Sequence, residues 1–159
     1  MLSHTGSENA FSQSDGRLSE PELLRLPLSL GVKVIAAHVA TMNDFGDNGS
    51  LDRLCKLMKE YPNCYADISS LTQINKHHCA LEVLRRPELK DRLLYGSDYP
   101  LIAMPGLVSS WHFVMRIGLV RTWRISRIEN PWDRDVAFKE AMGFPADCHT
   151  RANAVLGIK

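Results

Sequence analysis

The sequence has 159 residues, 19 Lys and Arg against 18 Asp and Glu for a net charge of +1, and 45% hydrophobic residues. This balance suits one globular domain over residues 1–159, large enough to bury about two-thirds of its unfolded surface. It gives no support to a nucleic-acid binder. No run of 18 apolar residues and no signal-peptide core occurs, so neither membrane contact nor secretion is expected and the reading is cytoplasmic. Cys55, Cys64, Cys79 and Cys148 are dispersed without a C-x-x-C, which reads as buried free thiols in a reducing compartment.

In chain order, Met1–Gly6 reads as the end of a strand entering a turn, and Ser7–Leu18 as a polar loop. Ser19, Pro21 and Glu22 carry the punctuation of a helix start, with Ser19 as N-cap, and Pro27 makes that helix short or kinked. Val32–Ala37 is β-branched and almost continuously apolar, the character of a strand buried on both faces. Leu51, Leu54, Leu57 and Met58 repeat at helical spacing after Ser50, and Pro62-Asn63 closes that helix. Cys64–Ile68 is the next strand, Ser69 or Ser70 caps a helix through Leu84, and Leu93–Tyr95 is a fourth strand. Beyond Pro100, helices are expected over Leu107–Leu119, Trp132–Met142 and Asp147–Leu156. Strands alternate with helical crossovers and hairpin signals are absent, so the class is α/β with a parallel sheet.

Parallel α/β folds collect working residues at the carboxyl ends of their strands. His4, His38 and Asp98 follow the first, second and fourth strands. Two imidazoles and a carboxylate suit Zn2+, and also Mn2+, Fe2+ or Co2+; Asp98 could alternatively serve as base toward a metal-bound water. Glu8, in the first loop, and Asp67, near the end of the third strand, are candidates for contacting substrate or orienting a ligand. His77 and His78 are adjacent on a helix and diverge by about 100°, a poor chelate. His112 and His149 read as packed histidines. Arg116, Arg121, Arg124 and Arg127 surround Trp123, but Glu129, Asp133 and Asp135 follow, and a solvated face is the reading. No phosphate loop, dinucleotide fingerprint or nucleophile elbow appears, so no organic cofactor is expected.

Several of these segments resemble one family, the amidohydrolase-related metal-dependent hydrolases (amidohydrolase 2 type). Leu2-Ser3-His4-Thr5-Gly6 is similar to the family's fifth barrel strand with its histidine, and Val34-Ile35-Ala36-Ala37-His38 to the sixth. Asn63–Ser69 resembles the seventh strand, and Leu94-Tyr95-Gly96-Ser97-Asp98-Tyr99-Pro100 the eighth, with its aspartate as metal ligand or proton shuttle. Arg151–Leu156 resembles the closing helix. The resemblance implies a partial TIM (β/α)8 barrel, strands five to eight plus C-terminal helices. A complete barrel needs roughly 250 residues, and the family's His-x-His pair of the first strand is absent here.

It further implies a divalent metal, Zn2+ first, held by His4, His38 and Asp98. A metal-activated water would attack an amide, ester or lactone of a small-molecule substrate, with Asp98 as the catalytic proton carrier. Non-oxidative decarboxylases belong to the same superfamily and are the alternative chemistry. A half-barrel of this kind is expected to need the N-terminal half or a second copy to cover its sheet. The alternative from another class is a non-catalytic fragment or interaction module.

Overall fold

The computed structural model describes residues 1–6, 16–41 and 49–158. Four short strands form one parallel sheet in the order of the chain: β1 (Leu2–Ser3), β2 (Val34–Ala36), β3 (Cys64–Asp67) and β4 (Leu93–Leu94). Each pair is separated by a crossover, and the α/β class with a parallel sheet is observed. No helix among the described residues is long and apolar enough to cross a membrane.

The first crossover departs from expectation at its start. Two 3-10 turns, Gly16–Ser19 and Pro21–Leu24, precede a single turn of helix, α1 (Arg25–Ser29). Glu20, not Ser19, is the N-cap, because Pro21 occupies the first helical position and the Ser19 carbonyl accepts from the Gly6 amide at 3.2 Å. Helix α1 is short, as expected, and Pro27 lies within it, in the first turn, where its missing N–H costs no hydrogen bond. Helix α2 (Ser50–Glu60) is the best formed of the crossovers. Its Leu51, Leu54, Leu57 and Met58 are all buried against the sheet layer, the stripe the spacing predicts.

Ser69 and Ser70 do not cap a helix. The chain makes turns there, then a 3-10 turn at Ile74–Lys76, and α3 starts only at His77, running to Leu84. Both serine side chains are committed elsewhere, as the site below shows. After β4 the expected helix over 107–119 is broken: α4 (Val114–Ile117) and α5 (Leu119–Ser126) meet at Gly118, whose φ of 83° stops the helix. Helix α6 (Pro131–Met142) begins as predicted, with the Asn130 side chain accepting from the amides of Trp132 at 2.9 Å and Asp133 at 3.3 Å. A 3-10 turn at Ala146–His149 leads to α7 (Arg151–Leu156), shorter at its start than the segment suggested.

The register divides the sheet into two unlike faces. Val34 and Cys64 pair, as do Ala36, Ala66 and Leu93 across three strands, and all five are buried under the helices. Leu2, Ile35 and Tyr65 lie in register on the opposite face. Leu2 is 68% exposed and the other two are only half-buried, so β2 is not buried on both faces as its composition suggested. Further along, Asp67 and Leu94 pair and are buried. No disulfide joins the four cysteines, all of them among the described residues, and three are buried. Desolvation pushes the thiols of Cys55 and Cys148 up to about 11 and that of Cys64 to about 12.

Candidate active site

The carboxyl ends of β1 and β2 are fastened together at Thr5 and Gly6. Thr5, fully buried, donates its hydroxyl to the Ala37 carbonyl at 2.6 Å. Gly6 follows at φ 92°, and a Cβ placed on it would lie 2.3 Å from the Thr41 carbonyl oxygen. Only glycine accommodates both the dihedral and that approach. The consequence is that His4 and His38 stand side by side, ring centroids 5.1 Å apart at an interplanar angle of 72°. His4 is exposed and His38 buried.

Beyond β2 the backbone turns through three consecutive left-handed residues, His38 (φ 59°), Val39 (φ 52°) and Ala40 (φ 52°). A β-branched residue in that region is uncommon and costs free energy that surrounding contacts must offset. Those contacts are visible. The Thr41 amide and hydroxyl both donate to the His38 carbonyl, at 2.9 and 2.6 Å. The His38 amide donates to Asp67 Oδ1 at 3.1 Å.

Asp67 organises the centre of the site. Its Oδ1 also accepts from the Ser69 amide at 3.0 Å and from the Ser69 hydroxyl. The same hydroxyl oxygen lies 2.8 Å from His38 Nδ1. A carboxylate only accepts, so the hydroxyl hydrogen goes to Asp67 and the oxygen accepts from Nδ1–H. That arrangement selects the tautomer of neutral His38 with its lone pair on Nε2, the form suited to a ligand or a base. The sequence offers Asp67 as an orienting residue and Ser69 or Ser70 as a helix cap. The side-chain chain Asp67–Ser69–His38 joins the two.

Asp98 lies in the loop after β4 in a left-handed conformation, φ 57°. Its Oδ2 accepts from the Ser70 hydroxyl and, at 3.5 Å, from the Gln73 amide nitrogen, which itself donates to Ser70 Oγ at 2.9 Å. Gly96, two residues earlier, packs so closely on the β3 end that a Cβ would fall 3.1 Å from Asp67 Oδ1. His4 and His38 are thus brought together, and Asp67 and Asp98 are both held by the Ser69–Gln73 turn. Among the described residues, however, no three His, Cys, Asp or Glu side chains are grouped so as to hold a metal ion. The His4–His38 pair has the donor chemistry for one, but no third donor from the described residues completes a set. Glu8 lies outside the described residues.

The other histidines stay away from this cluster. His77 and His78 are 5.6 Å apart by ring centroid, and His77 packs on Phe113 at 4.7 Å. His112 and His149 are half-buried, and burial lowers the pKa of both. His149 leans on the ring of Tyr95 at 5.1 Å. Trp123 and the arginines near it form an exposed face, with Arg127 over the Trp123 ring at 5.3 Å.

One group of residues behind the site left almost no trace in the sequence. Asp135 and Lys139, on α6, form an ion pair at 2.7 Å with both side chains buried. Lys139 also donates to the Gly96 carbonyl at 2.8 Å and stands over the Tyr95 ring. Asp135 accepts from the Tyr95 hydroxyl at 2.9 Å and from the Thr72 hydroxyl at 3.2 Å. Burial, and next to it the negative charge of Asp135, raises the Tyr95 phenol above its ordinary range. The network therefore grips both segments that hold Asp98, the 69–73 turn and the end of β4. An i, i+4 Asp–Lys spacing was its only trace in the sequence, and that spacing ordinarily marks a solvated helix face.

Comparison of the chain with family models, with curated proteins and with solved structures finds no match.

Proposed function

We propose that this chain is the strand-five-to-eight portion of an amidohydrolase-related barrel enzyme that hydrolyses an amide, ester or lactone of a small molecule. The observation that carries the reading is the pair of imidazoles, His4 and His38, 5.1 Å apart at the carboxyl edge of a parallel sheet whose order follows the chain. Asp98 lies in the loop that follows the fourth strand at the same edge. A divalent ion, Zn2+ first, bound through these imidazoles and completed by donors beyond the described residues, would make water a nucleophile at neutral pH.

The chain's own groups have separable duties in this reading. Asp67 and Ser69 hold His38 with its Nδ1–H engaged, which leaves the lone pair on Nε2. Ser70 and Gln73 hold the Asp98 carboxylate in one direction, where it takes the proton of the attacking water and returns it to the leaving group. Additional strands, from another polypeptide segment or a second copy, would add at β1 and cover Ile35 and Tyr65.

The test is a panel of an anilide, an aryl ester and a lactone, assayed with Zn2+ or Co2+. Asp98→Asn is expected to lower turnover at least about 100-fold with metal content unchanged, and His38→Ala to lose both. Turnover indifferent to Asp98→Asn, or Co2+ spectra indifferent to His38→Ala, overturns the assignment. The second reading is a non-catalytic scaffold; on its side is the lack of a third metal donor among the described residues. Absence of both Co2+ binding and turnover would favour it.

A further inference from the structure

A cavity of about 350 Å3 opens between the segment after β4 and the helices α5 and α6. That is within the range of small-molecule sites. Its apolar walls include Ile102, Val108, Trp111 and Phe138, and its polar lining includes Ser109, Arg134 and Asp135. Two of these polar groups are already satisfied as charges or acceptors. Asp135 is neutralised by Lys139 and bonded by Tyr95, and Ser109 accepts from the Trp111 amide at 3.4 Å, which leaves its O–H to donate.

Arg134 is different. It is half-buried, Nη1 donates to the Ile128 carbonyl at 2.9 Å, and Nη2 reaches the Ile102 carbonyl at 3.5 Å. These contacts fix the guanidinium between two segments but leave its charge uncompensated; among the described residues it has no carboxylate partner. A guanidinium has five N–H donors, so donors remain for a ligand. A neutral ligand would desolvate this cation without answering it, and a cationic one would be repelled.

We propose that this cavity binds a small organic anion, a carboxylate on an aromatic or aliphatic body. Arg134 takes the carboxylate, and Trp111 and Phe138 flank the body. Inorganic anions lack the apolar part that Ile102, Val108, Trp111 and Phe138 would cover. The site lies close to Asp98 in the chain of contacts: Val108 pairs with Gln73, whose amide reaches Asp98. The binding does not depend on what Asp98 does.

The test follows the indole N–H signal of Trp111 in the full chain, assigned by Trp111→Phe, during titration with benzoate, benzamide and inorganic phosphate. Benzoate is expected to give a saturable shift, with benzamide and phosphate each weaker by about tenfold or more. Arg134→Gln is expected to weaken benzoate by about tenfold with the remaining spectrum unchanged. Benzamide or phosphate binding as well as benzoate overturns the proposal, as does the absence of any saturable shift or an affinity unmoved by Arg134→Gln. If Arg134→Gln does not fold, the comparison of benzoate with benzamide on the unaltered chain decides alone.

Discussion

The two outer edges of the sheet are built in opposite ways. At β4 the unpaired backbone groups are taken by the C-terminal segment: the Tyr95 amide donates to the Cys148 carbonyl at 2.9 Å, and the Arg151 guanidinium donates to the Leu93 carbonyl at 2.6 Å. Leu93 and Leu94 are buried, and the Asp135–Lys139 pair closes over the strand's end. At β1 the outer residue, Leu2, is 68% exposed. A covered edge resists strand addition and an open one invites it. Among the described residues no strand pairs with the outer side of β1, whereas the outer side of β4 is occupied by the C-terminal segment. Closing a barrel through β4 would first require the C-terminal segment to let go.

Substitutions at the two edges should separate them. The largest effect is expected from Lys139→Met, which strands Asp135 as a buried uncompensated charge. We expect a loss of about 3–5 kcal/mol in denaturant unfolding, most of it recovered in Asp135→Leu combined with Lys139→Met. A double variant as unstable as the single one would mean that Lys139 stabilises through Gly96 rather than through Asp135. Next comes Arg151→Ala, expected to cost about 1–3 kcal/mol because the Leu93 carbonyl loses its partner. It should also produce concentration-dependent association in sedimentation velocity; a monomeric, equally stable variant would show the β4 edge to be guarded by something else.

A smaller effect concerns pH. Burial lowers the pKa of His149, packed on Tyr95, and likewise that of His112. Their neutral forms are favoured in the folded state, so the related stability is complete above the unfolded histidine pKa of about 6.5. It is lost as pH falls below that value toward the folded pKa, because the unfolded chain binds the protons first. Melting temperature should fall between pH 7 and pH 5, and less steeply in His149→Phe. The smallest effect belongs to the open edge. Leu2→Lys is expected to change stability by less than about 0.5 kcal/mol while abolishing any self-association of the unaltered chain. A large loss of stability would show that β1 is covered after all.

The sheet was legible because its signals are local. Val34–Ala36 and Cys64–Asp67 are short, mostly apolar runs with turn residues nearby, and His38 and Asp98 lie in the segments that follow strands. What the sequence hid depends on partners distant in the chain. Ser69 and Ser70 have the chemistry of helix caps, and only the approach of β2 and β4 on either side redirects their hydroxyls to His38, Asp67 and Asp98. Asp135 and Lys139 lie on a helix whose other polar residues include solvent-exposed ones, so their burial is invisible without Tyr95 and Gly96 above them. The helix expected over Leu107–Leu119 stops at the start of α5, whose residues after Leu119 gave no expected element, and Gly118 separates α4 from α5.

The contact between Gly6 and the Thr41 carbonyl has a bearing on how the histidine pair could change over time. The spacing of His4 and His38 rests on one strand end abutting another with no side chain between them, so there is nothing there to trim or lengthen. A protein with this architecture could exchange the residues around the pair and so alter what it recognises. It could not widen the pair by small steps, because every residue that replaces Gly6 adds a Cβ where the Thr41 oxygen already is. The separation of the two imidazoles is in that sense a discrete quantity, kept or abandoned whole.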